Sequence, residues 1–183
     1  MKIGVVGCGA VGSFYGAKLC RAGHEVHFLL RSDYEAVRLH GVQVLSPEGN
    51  FLAFPRPARN PREVGGCDLV LVALKTTAND QFSVLIPALL QADTRVLTLQ
   101  NGLGNEERLA SLFGPERVLG GLCFVCLNRV TPGVVRHLAH GPPPCSTSNA
   151  GCRWNWRVCS WSHSAGQKTP GSPCRDCPPC APF

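Results

Sequence analysis

Short apolar runs alternate with segments of helical spacing from residue 1 to residue 140. Continuous apolar runs predict buried strands, and apolar positions three and four apart predict amphipathic helices. The predicted strands are 2–6, 25–30, 68–74, 95–99 and 118–125, and the predicted helices are 11–22, 33–39, 79–90 and 105–113. Since strands joined through helices pair in parallel with right-handed crossovers, we expect an α/β fold with a doubly wound parallel sheet.

Turn signals predict the remaining elements of this part. Ser32, with Glu35 three residues later, is the expected N-cap of the helix at 33–39. The runs "VQVL" and "NFLAF" flank "SPEG", which predicts a hairpin added at one side of the sheet. The proline-rich stretch "FPRPARNPREVGGC" is expected to be a loop, and "GVVRHLAHG" is expected to be extended.

Residues 141–183 have a different composition. They contain no Leu, Ile or Met, but they hold six of the eleven cysteines, all three tryptophans and eight of the fifteen prolines. A segment without apolar periodicity cannot contribute much to a packed core, so we expect an irregular, unstructured tail after a folded domain at 1–140. A frame-shifted reading of "RWNWRVCSW" gives a helix-like pattern. Our hypothesis is therefore that the tail is translated out of frame, which the nucleotide sequence would test.

The cysteines of the tail allow a second interpretation. Cys174, Cys177 and Cys180 have ligand-like spacing. Structural zinc sites usually pair two separated knuckles, and here the fourth ligand would have to be Cys159 or His163 or lie further away. We therefore predict no metal site. The cysteines at 8, 20, 67, 123 and 126 lie mostly in apolar segments and are expected to be small buried hydrophobes.

Composition and charge exclude several classes of protein. The chain is 44% hydrophobic and 16% charged, which is typical of a globular protein. Its apolar runs are shorter than the ~20 residues of a membrane span, and "MKIGVVG" lacks the features of a secretory signal, so we expect no membrane association and a cytoplasmic location. The net charge of +6 is spread without a basic stripe in residues 1–140, which argues against nucleic acid as a partner.

A glycine-rich motif stands between the first strand and the first helix. Gly7, Gly9 and Gly12 form GxGxxG in the position that a dinucleotide-binding fold requires. The first glycine permits a tight turn, the second lets a pyrophosphate approach the backbone, and the third lets the helix pack closely. Gly16 adds another position for close approach. The motif predicts a Rossmann-type nucleotide site, against the alternative of a purely structural turn.

The residue that ends the second strand distinguishes NAD from NADP. Enzymes that use NAD usually place Asp or Glu about 20 residues beyond the motif, where the carboxylate binds the ribose 2′-hydroxyl. This chain has Arg31 there, and a guanidinium can bind a 2′-phosphate through charge-assisted hydrogen bonds. The sequence therefore predicts NADP(H). Asp33 is the observation that opposes this prediction, and an exposed loop arginine is the alternative.

Polar residues also follow two later strands. Lys75 lies just beyond the third buried strand, and Asn101 lies just beyond the fourth. Open α/β sheets bind ligands at the carboxyl ends of their strands, so these side chains are candidates for contacts with cofactor or substrate. The alternatives are a surface lysine and an Asn-Gly turn.

Three stretches together resemble one family. "GCGAVGSFYGAKLCRAGHEVHFLLR", "VALKTTAND" and "LQNGLGNEERL" look like the amino-terminal domain of the ketopantoate reductases, or 2-dehydropantoate 2-reductases, over residues 1–140. The resemblance implies NADPH-dependent reduction of a 2-oxo acid to a 2-hydroxy acid, within pantothenate biosynthesis for the named member. It also implies a set of cofactor-binding residues, comprising Gly7, Cys8, Gly9, Ala10, Val11, Gly12, Arg31, Lys75, Asn101 and Val125.

The resemblance does not extend to residues 141–183. The family is expected to take its general acid, a lysine, and much of its substrate site from a following helical domain, and Lys168 in "AGQKTPGSP" has no helical context. We therefore assign no catalytic residue, and Lys75 and Asn101 are expected only to line the cleft. The expected partner is a small 2-oxo acid, with homodimerisation of full-length relatives left open. The alternatives are an inactive, truncated NADP-binding fragment and, more remotely, a cysteine-rich metal-binding adaptor.

Overall fold

Ten strands and five α-helices make up the part of the chain that the structure describes. The structure is a computed structural model, and it describes residues 1–140. In chain order the strands are β1 (Lys2–Val6), β2 (Glu25–Leu29), β3 (Val42–Leu45), β4 (Phe51–Ala53), β5 (Arg56–Ala58), β6 (Leu69–Val72), β7 (Arg95–Thr98), β8 (Val118–Gly120), β9 (Val125–Thr131) and β10 (Val134–His140). The helices are α1 (Ala10–Arg21), α2 (Tyr34–His40), α3 (Pro61–Val64), α4 (Phe82–Leu85) and α5 (Asn105–Phe113).

The main sheet has six strands in the order β5-β2-β1-β6-β7-β8. Every neighbouring pair is parallel. Chain order runs outward from β1 in one direction through β2 and β5, and then in the other direction through β6, β7 and β8. This arrangement confirms the predicted doubly wound α/β fold, and it places a topological switch point between β1 and β6.

Both faces of the main sheet are covered. Alternate residues of β1 point to opposite faces, so Val5 belongs to one core cluster and Val6 to the other. On the first face Phe14 of α1 packs with Phe28, and on the second face Phe82 and Leu109 belong to the core. Burial on both faces explains why the central strands β1 and β6 are continuous apolar runs.

A second sheet lies across α1 from the first. Its order is β4-β3-β10-β9, and α1 contacts all four of its strands. The predicted hairpin is present as the antiparallel pair β3 and β4, but it does not extend the main sheet. Instead β3 pairs in parallel with β10. The first residue of β10, Val134, lies 92 residues after Val42, the first residue of β3. Such a distant pairing leaves no local pattern in the sequence.

Three predictions of local structure are corrected. The predicted loop at 54–67 contains β5 and α3, because Pro57 is tolerated in an edge strand, where it pairs beside Phe28. The predicted helix at 79–90 is divided into a 3-10 helix at Thr76–Gln81, α4 and a 3-10 helix at Pro87–Leu89, since Pro87 cannot donate a helical hydrogen bond. The predicted strand at 118–125 is also interrupted, with β8 and β9 in different sheets.

The predicted N-cap of α2 is also wrong. The cap position is occupied by Asp33 and no side chain closes it. The Ser32 hydroxyl donates instead to Asp33 Oδ1 at 2.7 Å. The two predicted features of the tail, the lack of structure after residue 140 and the cysteine spacing at 174–180, lie outside the described residues. None of the helices within residues 1–140 has both the length and the apolarity that crossing a bilayer requires.

Candidate dinucleotide site

The glycine-rich loop joins β1 to α1 at the switch point of the main sheet. Gly7 has φ +100°, and a Cβ there would lie 2.4 Å from the Leu74 amide nitrogen. A Cβ on Gly12 would lie 2.2 Å from the Gly7 carbonyl oxygen. Both clashes are with backbone, which cannot rotate away. These two glycines are therefore required by the turn and by the packing of α1 on β1 and β6.

Gly9 differs from its two neighbours in the motif. Within residues 1–140, a Cβ at Gly9 would meet no atom within 4 Å, so the packing of this part of the chain does not require a glycine there. The open space lies beside the start of α1, whose first turn contains no acidic residue. The first amides of a helix have no acceptor within the helix, and they carry the positive end of its dipole. The loop is thus an uncrowded candidate site for an anion such as a pyrophosphate.

The side chain of Cys8 holds the loop from within. Its thiol contacts the carbonyl oxygens of Val5 at 3.6 Å and Leu29 at 3.5 Å, and the Ser13 hydroxyl donates to the Cys8 carbonyl at 3.1 Å. Burial raises the pKa of the Cys8 thiol, and the nearby Asp33 carboxylate raises it further. Cys8 is therefore a protonated, structural thiol.

The turn after β2 carries Arg31 and Asp33, which have opposite environments. Arg31 is exposed, and within residues 1–140 no carboxylate forms an ion pair with it. Asp33 is only 5% exposed, and its Oδ1 accepts hydrogen bonds from Arg129 Nη2 and from Ser32 Oγ, each at 2.7 Å. The carboxylate that opposed the NADP prediction is therefore already paired.

Lys75 and Asn101 follow the adjacent strands β6 and β7, as the sequence pattern predicted for strand ends. Both side chains are exposed. Their loops touch, because a Cβ on Gly102 would lie 3.8 Å from Thr76 Cγ2. The geometry thus brings Lys75 and Asn101 to the same edge of the sheet as the glycine-rich loop.

An amide network, which the sequence analysis missed, fixes these two loops. Gln100 Nε2 donates to the Leu74 carbonyl at 2.9 Å and to Asn79 Oδ1 at 2.8 Å. Asn79 Nδ2 donates to Asn105 Oδ1 at 2.8 Å, and Asn105 Nδ2 donates to the Asn101 carbonyl at 3.2 Å. The signal for this network was the density of amide side chains in "TTAND" and "LQNGLGN". Because each amide in this network holds the next one, we expect Gln100, Asn79 and Asn105 to position Asn101 and to take no part in a chemical step.

Val125 lies apart from this group. It begins β9 in the second sheet, where it pairs with His140. The segment before it lies near α1, since burial and then the neighbouring Cys123 thiol raise the pKa of Tyr15. The role of Val125 toward a cofactor thus stays a prediction.

Two other features lie on or beside the second sheet. A surface pocket of about 500 Å³ is lined by residues of β3, β4 and the turn before β10. Glu48, His137 and His140 place one nitrogen or carboxylate oxygen each within 4.8 Å of one another. The Glu48 carboxylate in that cluster already pairs with His140 at 2.7 Å and with Lys18 at 3.4 Å, which accounts for the cluster as an ion-pair network.

Comparison with known proteins identifies the family. Residues 3–143 match the family described as ketopantoate reductase PanE/ApbA. The chain belongs to this family. It is 46% identical over 145 residues to a 2-dehydropantoate 2-reductase of Nostoc, an alignment that covers 76% of this chain and 44% of the relative. It is also 31% identical over 138 residues to the uncharacterized oxidoreductase YkpB of Bacillus subtilis, covering 75% of this chain and 45% of that one.

Solved structures agree with the family assignment. The crystal structure of 2-dehydropantoate 2-reductase from Geobacter metallireducens matches with a TM-score of 0.75 and 53% identity, over 77% of this chain and 47% of that one. D-mandelate dehydrogenase, solved as a ternary structure with NADH and anilino(oxo)acetate, matches with a TM-score of 0.69 and 26% identity, over 76% and 46% of the two chains. The chain of this family member thus spans slightly less than half the length of the relatives it matches.

Proposed function

We propose that residues 1–140 form the NADPH-binding part of a ketopantoate reductase-type enzyme, which reduces a 2-oxo acid to a 2-hydroxy acid. The reduction of 2-dehydropantoate to pantoate is the reaction we assign by family. The observation that carries the proposal is that the open space at Gly9 and the exposed Arg31 follow the adjacent parallel strands β1 and β2. NADPH supplies a hydride when bound.

Each part of the site has a separate task in this proposal. The amides at the start of α1 bind the pyrophosphate, and the guanidinium of Arg31 binds the 2′-phosphate in a charge-assisted contact. Asn101, held by the amide network around Gln100, both donates and accepts hydrogen bonds near the reacting carbonyl. The exposed Lys75 ammonium attracts the carboxylate of a 2-oxo acid.

Equilibrium titration of the full chain tests the cofactor. We expect NADPH to bind at micromolar concentrations, monitored by nicotinamide fluorescence, and Arg31→Glu to weaken NADPH at least about tenfold through loss of the charged contact. NADH affinity should change less than about threefold in the same variant. Arg62→Glu is the matched control, since it makes the same charge change at an exposed position on α3. The proposal would be refuted if the folded chain bound neither NADPH nor NADH.

The alternative is a chain that binds NADP(H) but does not turn over. It is considered because Lys168, the only lysine in residues 141–183, has no helical context that would match the expected general acid. Loss of a general acid costs about 100- to 10,000-fold in rate. We therefore expect a steady-state assay with 2-dehydropantoate and NADPH to show no detectable turnover by this chain. Measured turnover would exclude the inactive-fragment alternative.

A further inference from the structure

Asp33 lies near the end of the second strand, the region in which many dinucleotide-binding folds distinguish NADH from NADPH. It lies two residues beyond Arg31, in the turn after β2, and it is close enough to the glycine-rich loop for its charge to raise the pKa of Cys8. A carboxylate in this region has two consequences for cofactor choice. It accepts a hydrogen bond from the ribose 2′-hydroxyl of NADH, and it repels the 2′-phosphate of NADPH.

The second sheet supplies the partner of this carboxylate. Arg129 of β9 donates to Asp33 Oδ1 at 2.7 Å, across 96 residues of sequence. The Asp33 side chain is 7% exposed and that of Arg129 is 41% exposed. A nearly buried carboxylate requires a partner, because its desolvation is costly when unpaired. Arg129 therefore neutralises Asp33 while part of its own guanidinium stays in solvent.

The Ser32 hydroxyl completes the arrangement. It donates to the same Oδ1 at 2.7 Å, so this oxygen accepts two hydrogen bonds from within the chain. Arg31 in the same turn has an exposed side chain that no described carboxylate pairs with. Within the part of the chain that the structure describes, the positive charge of Arg31 is thus unpaired, while the negative charge of Asp33 is paired.

We propose that Arg129 is a specificity-determining residue that favours NADPH over NADH by holding the Asp33 carboxylate in an ion pair. The inference rests on the proposed function, since it concerns the choice between two forms of the same cofactor. Arg129 acts through Asp33, so it is a positioning residue and has no direct contact with the cofactor in this mechanism. Its removal releases a carboxylate toward the ribose.

A double-mutant cycle on the full chain tests this mechanism. The variants are Arg129→Met, which keeps the aliphatic stem and removes the charge, Asp33→Asn, and the two combined. Dissociation constants for NADPH and NADH are measured for each, with thermal unfolding as a check on folding. Arg136→Met is the matched control, because it removes the same charge from an exposed position of β10, the strand paired with β9.

We expect Arg129→Met to weaken NADPH about tenfold or more while NADH changes less than about threefold or tightens. Adding Asp33→Asn should restore NADPH affinity to within about threefold of the wild type. Equal weakening of both dinucleotides in Arg129→Met would overturn the inference, since it indicates a structural role. Failure of Asp33→Asn to restore NADPH affinity would also overturn it, because Arg129 would then contact the cofactor itself.

Folding failure of one variant does not remove the test. If Arg129→Met does not fold because it leaves a buried charge unpaired, the combined variant contains no unpaired charge. Wild-type preference for NADPH in the combined variant supports the inference, and loss of that preference overturns it. A folded wild type that binds neither dinucleotide refutes the proposed function instead, which separates the two failures.

Discussion

Gly9 and Gly12 should respond in opposite ways to the same substitution. Among the described residues, a Cβ at Gly9 meets no atom within 4 Å, and the φ of −77° at Gly9 suits any residue. Replacing such a glycine with alanine reduces the freedom of the unfolded chain, which raises the free energy of unfolding by about 0.4–1 kcal/mol. We therefore expect Gly9→Ala to be as stable as the wild type or slightly more stable.

Alanine at Gly12 has the opposite effect on stability. Its Cβ would lie 2.2 Å from the Gly7 carbonyl oxygen and 3.2 Å from Ala73 Cβ, so α1 would have to move away from the loop. Overpacking a tight contact costs about 1–3 kcal/mol, and backbone atoms relieve it less easily than side chains. We expect a loss of about 3 kcal/mol for Gly12→Ala, a sizeable part of the 5–15 kcal/mol typical of a domain.

Binding should separate the two glycines again. A methyl group at Gly9 occupies the space that the pyrophosphate requires and removes at least one charge-assisted hydrogen bond, worth about 1.5–3 kcal/mol, or about 10- to 100-fold in affinity. Urea unfolding followed by circular dichroism measures stability, and fluorescence titration measures NADPH affinity. Wild-type affinity in Gly9→Ala, or wild-type stability in Gly12→Ala, would refute this interpretation of the loop.

Three further predictions concern the core, a thiol and a surface ion pair. Phe28→Ala should lower the free energy of unfolding by about 3–5 kcal/mol, since the ring is fully buried; a change under about 1 kcal/mol in urea unfolding would contradict this. Cys8 should resist alkylation in the folded chain near pH 8 because its pKa is raised, whereas the exposed Cys126 should react; peptide mass spectrometry measures both, and equal labelling would contradict the assignment. The hydrogen bond with His140 lowers the pKa of the Glu48 carboxyl below 4.5, so its stabilising effect is present above that pH and is lost as pH falls. The melting temperature of the wild type should thus exceed that of Glu48→Gln at about pH 6 but not at about pH 3, and an unchanged difference would count against the ion pair.

Local patterns in the sequence were sufficient for much of the fold. The strand at Lys2–Val6 and the helix at Asn105–Phe113 have the predicted bounds. A strand buried on two faces is a continuous apolar run, whereas a helix buried on one face has apolar residues three and four positions apart, so the two patterns differ in the sequence. The glycine-rich loop was also predictable. A positive φ at Gly7 and close packing at Gly12 are requirements that only glycine meets, so they are visible in the residues themselves.

Features that depend on distant partners were not predictable. Pro57 reads as a loop residue, and only an edge position beside β2 makes it part of a strand. In the sequence Gln100 is one polar residue among several. Only the structure shows that its side-chain amide donates to both the Leu74 carbonyl and Asn79 Oδ1. In both cases the deciding neighbour lies more than twenty residues away.

Asp33 illustrates the division most clearly. The sequence by itself determined that Arg31 and Asp33, one positive and one negative residue, share the turn after β2. Only the tertiary structure decided which charge is free, because Arg129 reaches Asp33 through the pairing of β9 with β10 and of β10 with β3. Periodicity and turn chemistry act over a few residues, whereas an ion pair depends on the distance between two side chains, and sheet pairing sets that distance.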